Sequence, residues 1–135
     1  MSGRVLTTSA IVDIATDRSV YGRAFLVAAV ELGMIFPTPS TALLQAWAAV
    51  PPEARALMEL FLDAPAVVIE ELGASVAGRA GVRAHPAHQA GRFDVAAAHA
   101  VDMAIARRLA ILTAEPGPLR AIDPDVEIEE LPGSG

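Results

Sequence analysis

Arg4-Val5-Leu6-Thr7-Thr8-Ser9-Ala10-Ile11-Val12 is the stretch that decides the fold. Arg4 to Thr7 is a short apolar run, closing in the hydroxyls of Thr8 and Ser9. Ser9 is the residue type that caps a helix, because its hydroxyl accepts a bond from a free amide of the first turn. The helix then carries Ile11, Val12 and Ile14 to about Ala15. The stretch reads as a strand feeding directly into a helix.

The alternation continues outward. A second helix is expected over 20–32, with Tyr21, Phe25, Ala28 and Leu32 on one face and Gly33 ending it. Met34-Ile35-Phe36 reads as a very short strand stopped by Pro37. Thr38-Pro39-Ser40-Thr41 starts a helix through Leu43, Leu44, Ala46 and Trp47 to about Val50. Pro51-Pro52 breaks it and opens another over 53–62, since proline suits a first helical turn. Ala66-Val67-Val68-Ile69 reads as a buried strand, 73–82 as a helix weakened by Gly73, Gly78 and Gly81, and 83–93 as a loop. The clearest helix spans 94–109, where Ala97, Ala98, Val101, Ala104 and Ile105 share a face with Asp94 at its start. Leu109-Ala110-Ile111-Leu112-Thr113 is a fourth strand. A turn over 115–118, a helical turn over 119–121, an alternating edge strand over 126–131 and a loose end over 132–135 complete the chain. Strands alternating with helices predict an α/β fold. The expected form is a three-layer α/β/α sandwich around a central parallel sheet of four or five strands, in one domain over 1–135.

Composition supports a folded core and excludes several chemistries. Hydrophobic residues make up 53% of the 135 and charged residues 19%, which is not the balance of a disordered chain. Aromatics are only 4%, so the core is aliphatic and alanine-rich. The absence of cysteine removes disulfides, thiolate catalysis and Cys-ligated zinc. All ten cationic side chains are arginine. The net charge of -6 is concentrated at the end, where Asp123, Asp125, Glu127, Glu129 and Glu130 lie. So acidic a chain is a poor non-specific binder of nucleic acid. No apolar run reaches the ~18 residues of a membrane span, and the N-terminus lacks a secretory pattern, so a cytoplasmic protein without membrane contact is expected.

In an open parallel sheet, ligands bind outside the carboxyl ends of the strands, where strand order reverses. With the first and fourth strands adjacent, that point gathers Thr7-Thr8-Ser9, Thr113-Ala114-Glu115 and Asp94. Together with Gln45, these segments resemble the PIN-domain family, most closely its short VapC-type toxins. Val5-Leu6-Thr7-Thr8-Ser9-Ala10 is similar to the family's V-L-D-T-S-A. Gln45-Ala46-Trp47 falls where members often have E-A-W, Asp94-Val95-Ala96-Ala97-Ala98 looks like D-x-x-x-A, and Leu112-Thr113-Ala114-Glu115 looks like L-x-T-x-D. The four segments keep the family's order and span nearly the whole chain.

The resemblance implies a PIN-like ribonuclease fold. It also implies an acidic cluster that holds Mg²⁺ or Mn²⁺, because hard divalent cations want oxygen ligands and can activate water against a phosphate. Matched residue by residue, Asp94 and Glu115 are the retained acids, hence the implied catalytic residues and metal ligands. Thr7 replaces the first Asp and Gln45 the usual Glu. Thr8, Ser9 and Thr113 line the same place. Half of the charged cluster is therefore gone, and Asp13, one turn into the first helix, is the one nearby acid that offers a substitute ligand.

Each of these residues also has a plainer reading. Asp94 can be a helix cap, Glu115 a turn residue before Pro116, and Asp13 a solvent-facing acid. His85 and His88 sit close but lack a third and fourth ligand for zinc. His99 falls off the apolar stripe of its helix and is expected at a surface. Arg79, Arg83, Arg92, Arg107 and Arg108 form either a basic rim or ordinary surface charge. Three functions remain open. The first is a degenerate PIN-like protein, a pseudo-enzyme that binds RNA, a nucleotide or a protein partner. The second is an active Mg²⁺- or Mn²⁺-dependent toxin ribonuclease paired with a small antitoxin. The third is a structural dimerisation module. A homodimer is expected through the helices between Thr41 and Leu62, with Trp47 and Phe61 as anchors.

Overall fold

The computed structural model describes residues 2–17 and 20–132. Residues 133–135 of the expected loose end lie outside the described residues. The chain is an α/β protein. Its elements are β1 (Arg4–Leu6), α1 (Thr8–Thr16), α2 (Val20–Glu31), β2 (Phe36–Pro39), α3 (Ser40–Ala49), a 3-10 turn (Pro52–Ala54), α4 (Arg55–Asp63), β3 (Val67–Glu70), α5 (Ala74–Arg83), α6 (His85–Gln89), α7 (Val95–Arg107), β4 (Ala110–Thr113), α8 (Gly117–Ile122) and β5 (Ile128–Glu130).

Every pairing is parallel. β1 pairs with β4 and β4 with β5, making a three-stranded sheet, while β2 and β3 form a two-stranded sheet. One parallel bridge, Gly3 to Ile35, links the two. Its hydrogen bonds run from Arg4 N to Ile35 O at 3.1 Å and from Ile35 N to Ser2 O at 3.2 Å. A side chain at Gly3 would collide with the Ile35 carbonyl, so glycine is what allows this approach.

The prolines of β2 explain why the link stops at one bridge. Successive residues of a strand turn their N–H groups to opposite edges. Ile35 N points to the β1 side and Phe36 N to the β3 side, where it reaches Ala66 O at 2.8 Å. Pro37 and Pro39 share the parity of Ile35, so the two amides that would extend the ladder toward β1 do not exist. For the same reason the strand runs through Pro37 instead of ending at it as expected. Phe36 and Thr38 hold the register against Val67 and Ile69.

Alternation within β1 and β4 sorts the core onto two faces. Leu6 and Leu112 pack with α1, α3, α4 and Phe36. Val5 and Ile111 pack with α5, α7 and α8. Three local expectations change. Thr7, not Ser9, is the N-cap of α1, its hydroxyl accepting from Ala10 N. The 83–93 loop contains α6, whose first turn accommodates Pro86 and whose Ala87 is buried. Phe61 is buried in its own core and so is not a free anchor for a dimer, while Trp47 is half-buried.

Candidate functional site

The carboxyl ends of β1 and β4 lie side by side, with Leu6 paired to Leu112. Immediately beyond them is a cavity of about 290 Å³. Its polar wall is Thr7, Thr8, Ser9, Gln45, Asp94, Thr113 and Glu115, and its apolar wall is Val12, Ala49, Ala96, Ala97, Pro118 and Leu119. The seven polar residues singled out in the sequence thus meet in one cavity. Asp13 does not line it. Asp13 is 1% exposed, packed where α2 passes at Gly22, and a Cβ at Gly22 would come within 2.5 Å of its Oδ1. The solvent-facing reading of Asp13 is therefore corrected: the close α1–α2 crossing, permitted by glycine, covers it.

The cavity floor is a chain of hydroxyls with a fixed direction. Thr7 Oγ1 donates its proton to Leu112 O at 3.1 Å. A hydroxyl has one proton, so in the 3.2 Å contact between Thr7 and Ser9 the donor is Ser9. Ser9 has then used its proton, and in its 3.0 Å contact with Thr113 the donor is Thr113. Backbone amides fill the remaining lone pairs. Ala10 N donates to Thr7 at 3.4 Å, Ala114 N to Ser9 at 2.9 Å and Glu115 N to Thr113 at 3.0 Å. Thr7 and Ser9 therefore carry two accepted bonds and one donated bond each, the full capacity of a hydroxyl.

On the α3 wall, Thr8 Oγ1 donates to Gln45 Oε1 at 2.8 Å, leaving the Gln45 amide hydrogens for a ligand. On the α7 wall, Asp94 caps the helix, one carboxylate oxygen accepting from Ala97 N at 2.8 Å. The cap reading of Asp94 and the cavity reading are both realised, since a helix N-terminus at this point brings the carboxylate to the cavity. Glu115 is exposed on the turn after β4. Among the described residues no arginine or histidine lines the cavity, so its two carboxylates meet no cation from them there.

A divalent cation can be tested against this donor set. Mg²⁺ wants six oxygens in near-octahedral array. Among the described residues no group of three or more His, Asp or Glu side chains is placed to hold a metal. The floor hydroxyls cannot add to these donors, because Thr7 and Ser9 have no lone pair left. The cavity therefore offers the ion two carboxylates and, among the described residues, no further charged ligand.

Solved structures share this fold. A chain of the VapBC2 complex from Rickettsia felis, solved bound to a DNA fragment from their promoter, superposes with a TM-score of 0.74 over 96% of this chain and 98% of that one, at 15% identity. A chain of FitAcB from Neisseria gonorrhoeae superposes with a TM-score of 0.56 over 92% of this chain and 94% of that one, also at 15% identity. No family model matches the sequence, and no curated protein sequence matches it. At such identity the likeness shows the fold alone: an α/β fold found in toxin–antitoxin structures.

Sequence reasoning missed His99. It is 1% exposed, with Nδ1 2.8 Å from Thr41 Oγ1, while Nε2 is buried without a partner. Burial pushes its pKa below the ordinary histidine value, with Glu70 and Asp102 pulling in the opposite direction. The apolar stripe does not mark the buried face because α7 is covered on nearly every side: Ala96, Ala100, Asp102 and Met103 are buried with His99, whereas Ile105 is exposed. A helix apolar or alanine all round is a buried helix, and that was the available signal. Of the arginines read as a rim, Arg79 forms a two-pronged bond to Asp102 at 3.0 and 2.9 Å, and Arg107 is paired with Glu70. No helix among the described residues is long and apolar enough to cross a membrane.

Proposed function

We propose that this chain is a toxin–antitoxin-related protein with a PIN-like three-layer fold, its two sheets acting as one five-stranded layer in the order β3-β2-β1-β4-β5. Its ancestry is that of a metal-dependent ribonuclease, and its present role is binding without cleavage. The observation that carries this reading is the hydroxyl chain of Thr7, Ser9 and Thr113, in which Thr7, at the place of the family's first carboxylate, and Ser9 beside it are saturated neutral oxygens. Mg²⁺ or Mn²⁺ would have only Asp94 and Glu115 as charged ligands. Without a metal, two carboxylates in the cavity repel phosphate, which favours a small antitoxin-like protein over RNA or a nucleotide as the partner.

Exposed apolar side chains support protein contacts. Leu44 (70% exposed), Leu57 and Leu60 (67%) on α3 and α4 suit a homodimer through that pair of helices. Val27, Val30 and Leu32 (76%) leave a further apolar stretch along α2 for the partner.

An active endoribonuclease is the competing reading, supported by Asp94 and Glu115 facing one cavity. A cleavage assay decides between them. Purified chain is incubated with structured and single-stranded RNAs in Mn²⁺ and in Mg²⁺, beside the Asp94→Ala variant. The binding reading expects no cleavage above that variant. Cleavage that needs both the metal and Asp94 would establish the nuclease instead.

A further inference from the structure

His99 and Thr41 are each one helical turn from a residue of the cavity wall. Thr41 precedes Gln45 by four residues on α3, and His99 follows Ala96 by three on α7. Their 2.8 Å bond ties the two helices together behind that wall. We propose that the His99–Thr41 bond is a latch that sets the spacing of α3 and α7, and with it the distance across the cavity from Gln45 to Asp94, so that acid opens the site. The inference rests on reading this cavity as the functional site, and it assigns His99 as a positioning residue of that site.

The chemistry follows from the unpartnered nitrogen. An orphaned buried N–H is rarer and costlier than an orphaned acceptor, so Nδ1–H donates to Thr41 and Nε2 keeps a bare lone pair. Protonation turns Nε2 into a buried, charged donor with no acceptor, which the slot cannot hold at rest. The second cavity that His99 lines, of about 320 Å³, offers the outlet. The charged groups facing it are Glu70 and Glu71 after and at the end of β3, Arg79 of α5, and Asp102 and Arg107 of α7, while α3 presents only the uncharged Thr41. Three carboxylates against two guanidiniums favour an imidazolium on that side. A ring that swings toward it releases Thr41 and frees α3.

The test is an NMR titration of the chain alone, from pH 8 downward. The sequence has no asparagine and only two glutamines, so the side-chain amide pairs are those of Gln45 and Gln89. The latch predicts that the Gln45 pair and the backbone amide of Ala97 shift with the midpoint of the His99 ring signals, while Gln89 does not. In His99→Gln, which keeps a partner for Thr41 but does not titrate, that step disappears. If this variant fails to fold, Thr41→Val must remove the step from the Gln45 pair while His99 still titrates. Gln45 and Ala97 signals that stay still through the His99 titration, or an unchanged step in the variants, would overturn the latch. Since no ligand is added, the outcome is separate from whether a partner or RNA is ever found.

Discussion

At the cavity floor, Thr7, Ser9 and Thr113 direct every hydroxyl proton to one another or to the Leu112 carbonyl, and backbone amides occupy all but one of the lone pairs left over. Behind the cavity wall, His99 is just as buried, yet one of its two nitrogens has no partner at all. The floor joins β1, α1 and β4 into a unit in which Thr7 and Ser9 have no polar valence left and Thr113 keeps one lone pair. The α3–α7 contact combines packing of Ala42, Ala46 and Ala96 in one core cluster with the Thr41–His99 bond to a group that titrates. The nearly saturated part of this site is thus its floor, and the part with an unmet nitrogen lies one layer behind.

The largest expected effect comes from breaking the floor at its centre. Ser9→Ala strands the Ala114 amide, the Thr113 hydroxyl proton and a lone pair of Thr7 together. Urea unfolding should show a loss of about 2–3 kcal/mol, since each unmet group in a buried setting costs roughly 1–3 kcal/mol and part of this site is open to water. A loss below about 1 kcal/mol would mean the chain is not the tie described.

The latch should appear in the pH dependence of stability. His99 has a folded pKa below its unfolded value of about 6.5, so the unfolded chain binds more protons in that window. Stability is then greatest above pH 6.5 and falls as pH drops from there to the folded pKa, with a slope no steeper than about 1.4 kcal/mol per pH unit for one proton. His99→Gln should flatten that segment of the curve while leaving the acidic limb from carboxylates in place. An identical curve in the variant would remove His99 from the account.

Smaller still is the rim. Thr8→Ala removes one hydroxyl bond to Gln45 at the cavity edge, and a change of about 0.5–1 kcal/mol is expected in the same unfolding assay. If Thr8→Ala cost as much as Ser9→Ala, the distinction between a saturated floor and an open rim would fail.

How much of this was readable beforehand follows from what each residue's position depends on. Thr7, Thr113 and Asp94 sit at ends of elements, and ends are set by local patterns, so their meeting at the strand termini was legible. Asp13 and His99 owe their burial to neighbouring helices that pack by tertiary contact, α2 over Gly22 in one case and the helices surrounding α7 in the other. No single-helix periodicity carries that information. Proline reads as a stop in the sequence, and β2 runs on through it because what matters is the edge that the missing amide faces. α6 was hidden by Pro86, which breaks a helix only beyond its first turn.

If the cavity floor is closed to a hard cation, a calorimetric Mn²⁺ titration of the native chain will show it. Each missing carboxylate weakens the ion by a few kcal/mol, on the order of 332/(εr) with ε about 20, and about 4 kcal/mol separates a micromolar site from a millimolar one. The native chain should show no binding tighter than millimolar. Thr7→Asp combined with Gln45→Glu should restore measurable affinity, and adding Asp94→Ala should abolish it. Micromolar Mn²⁺ binding by the native chain, lost in Asp94→Ala, would contradict the account.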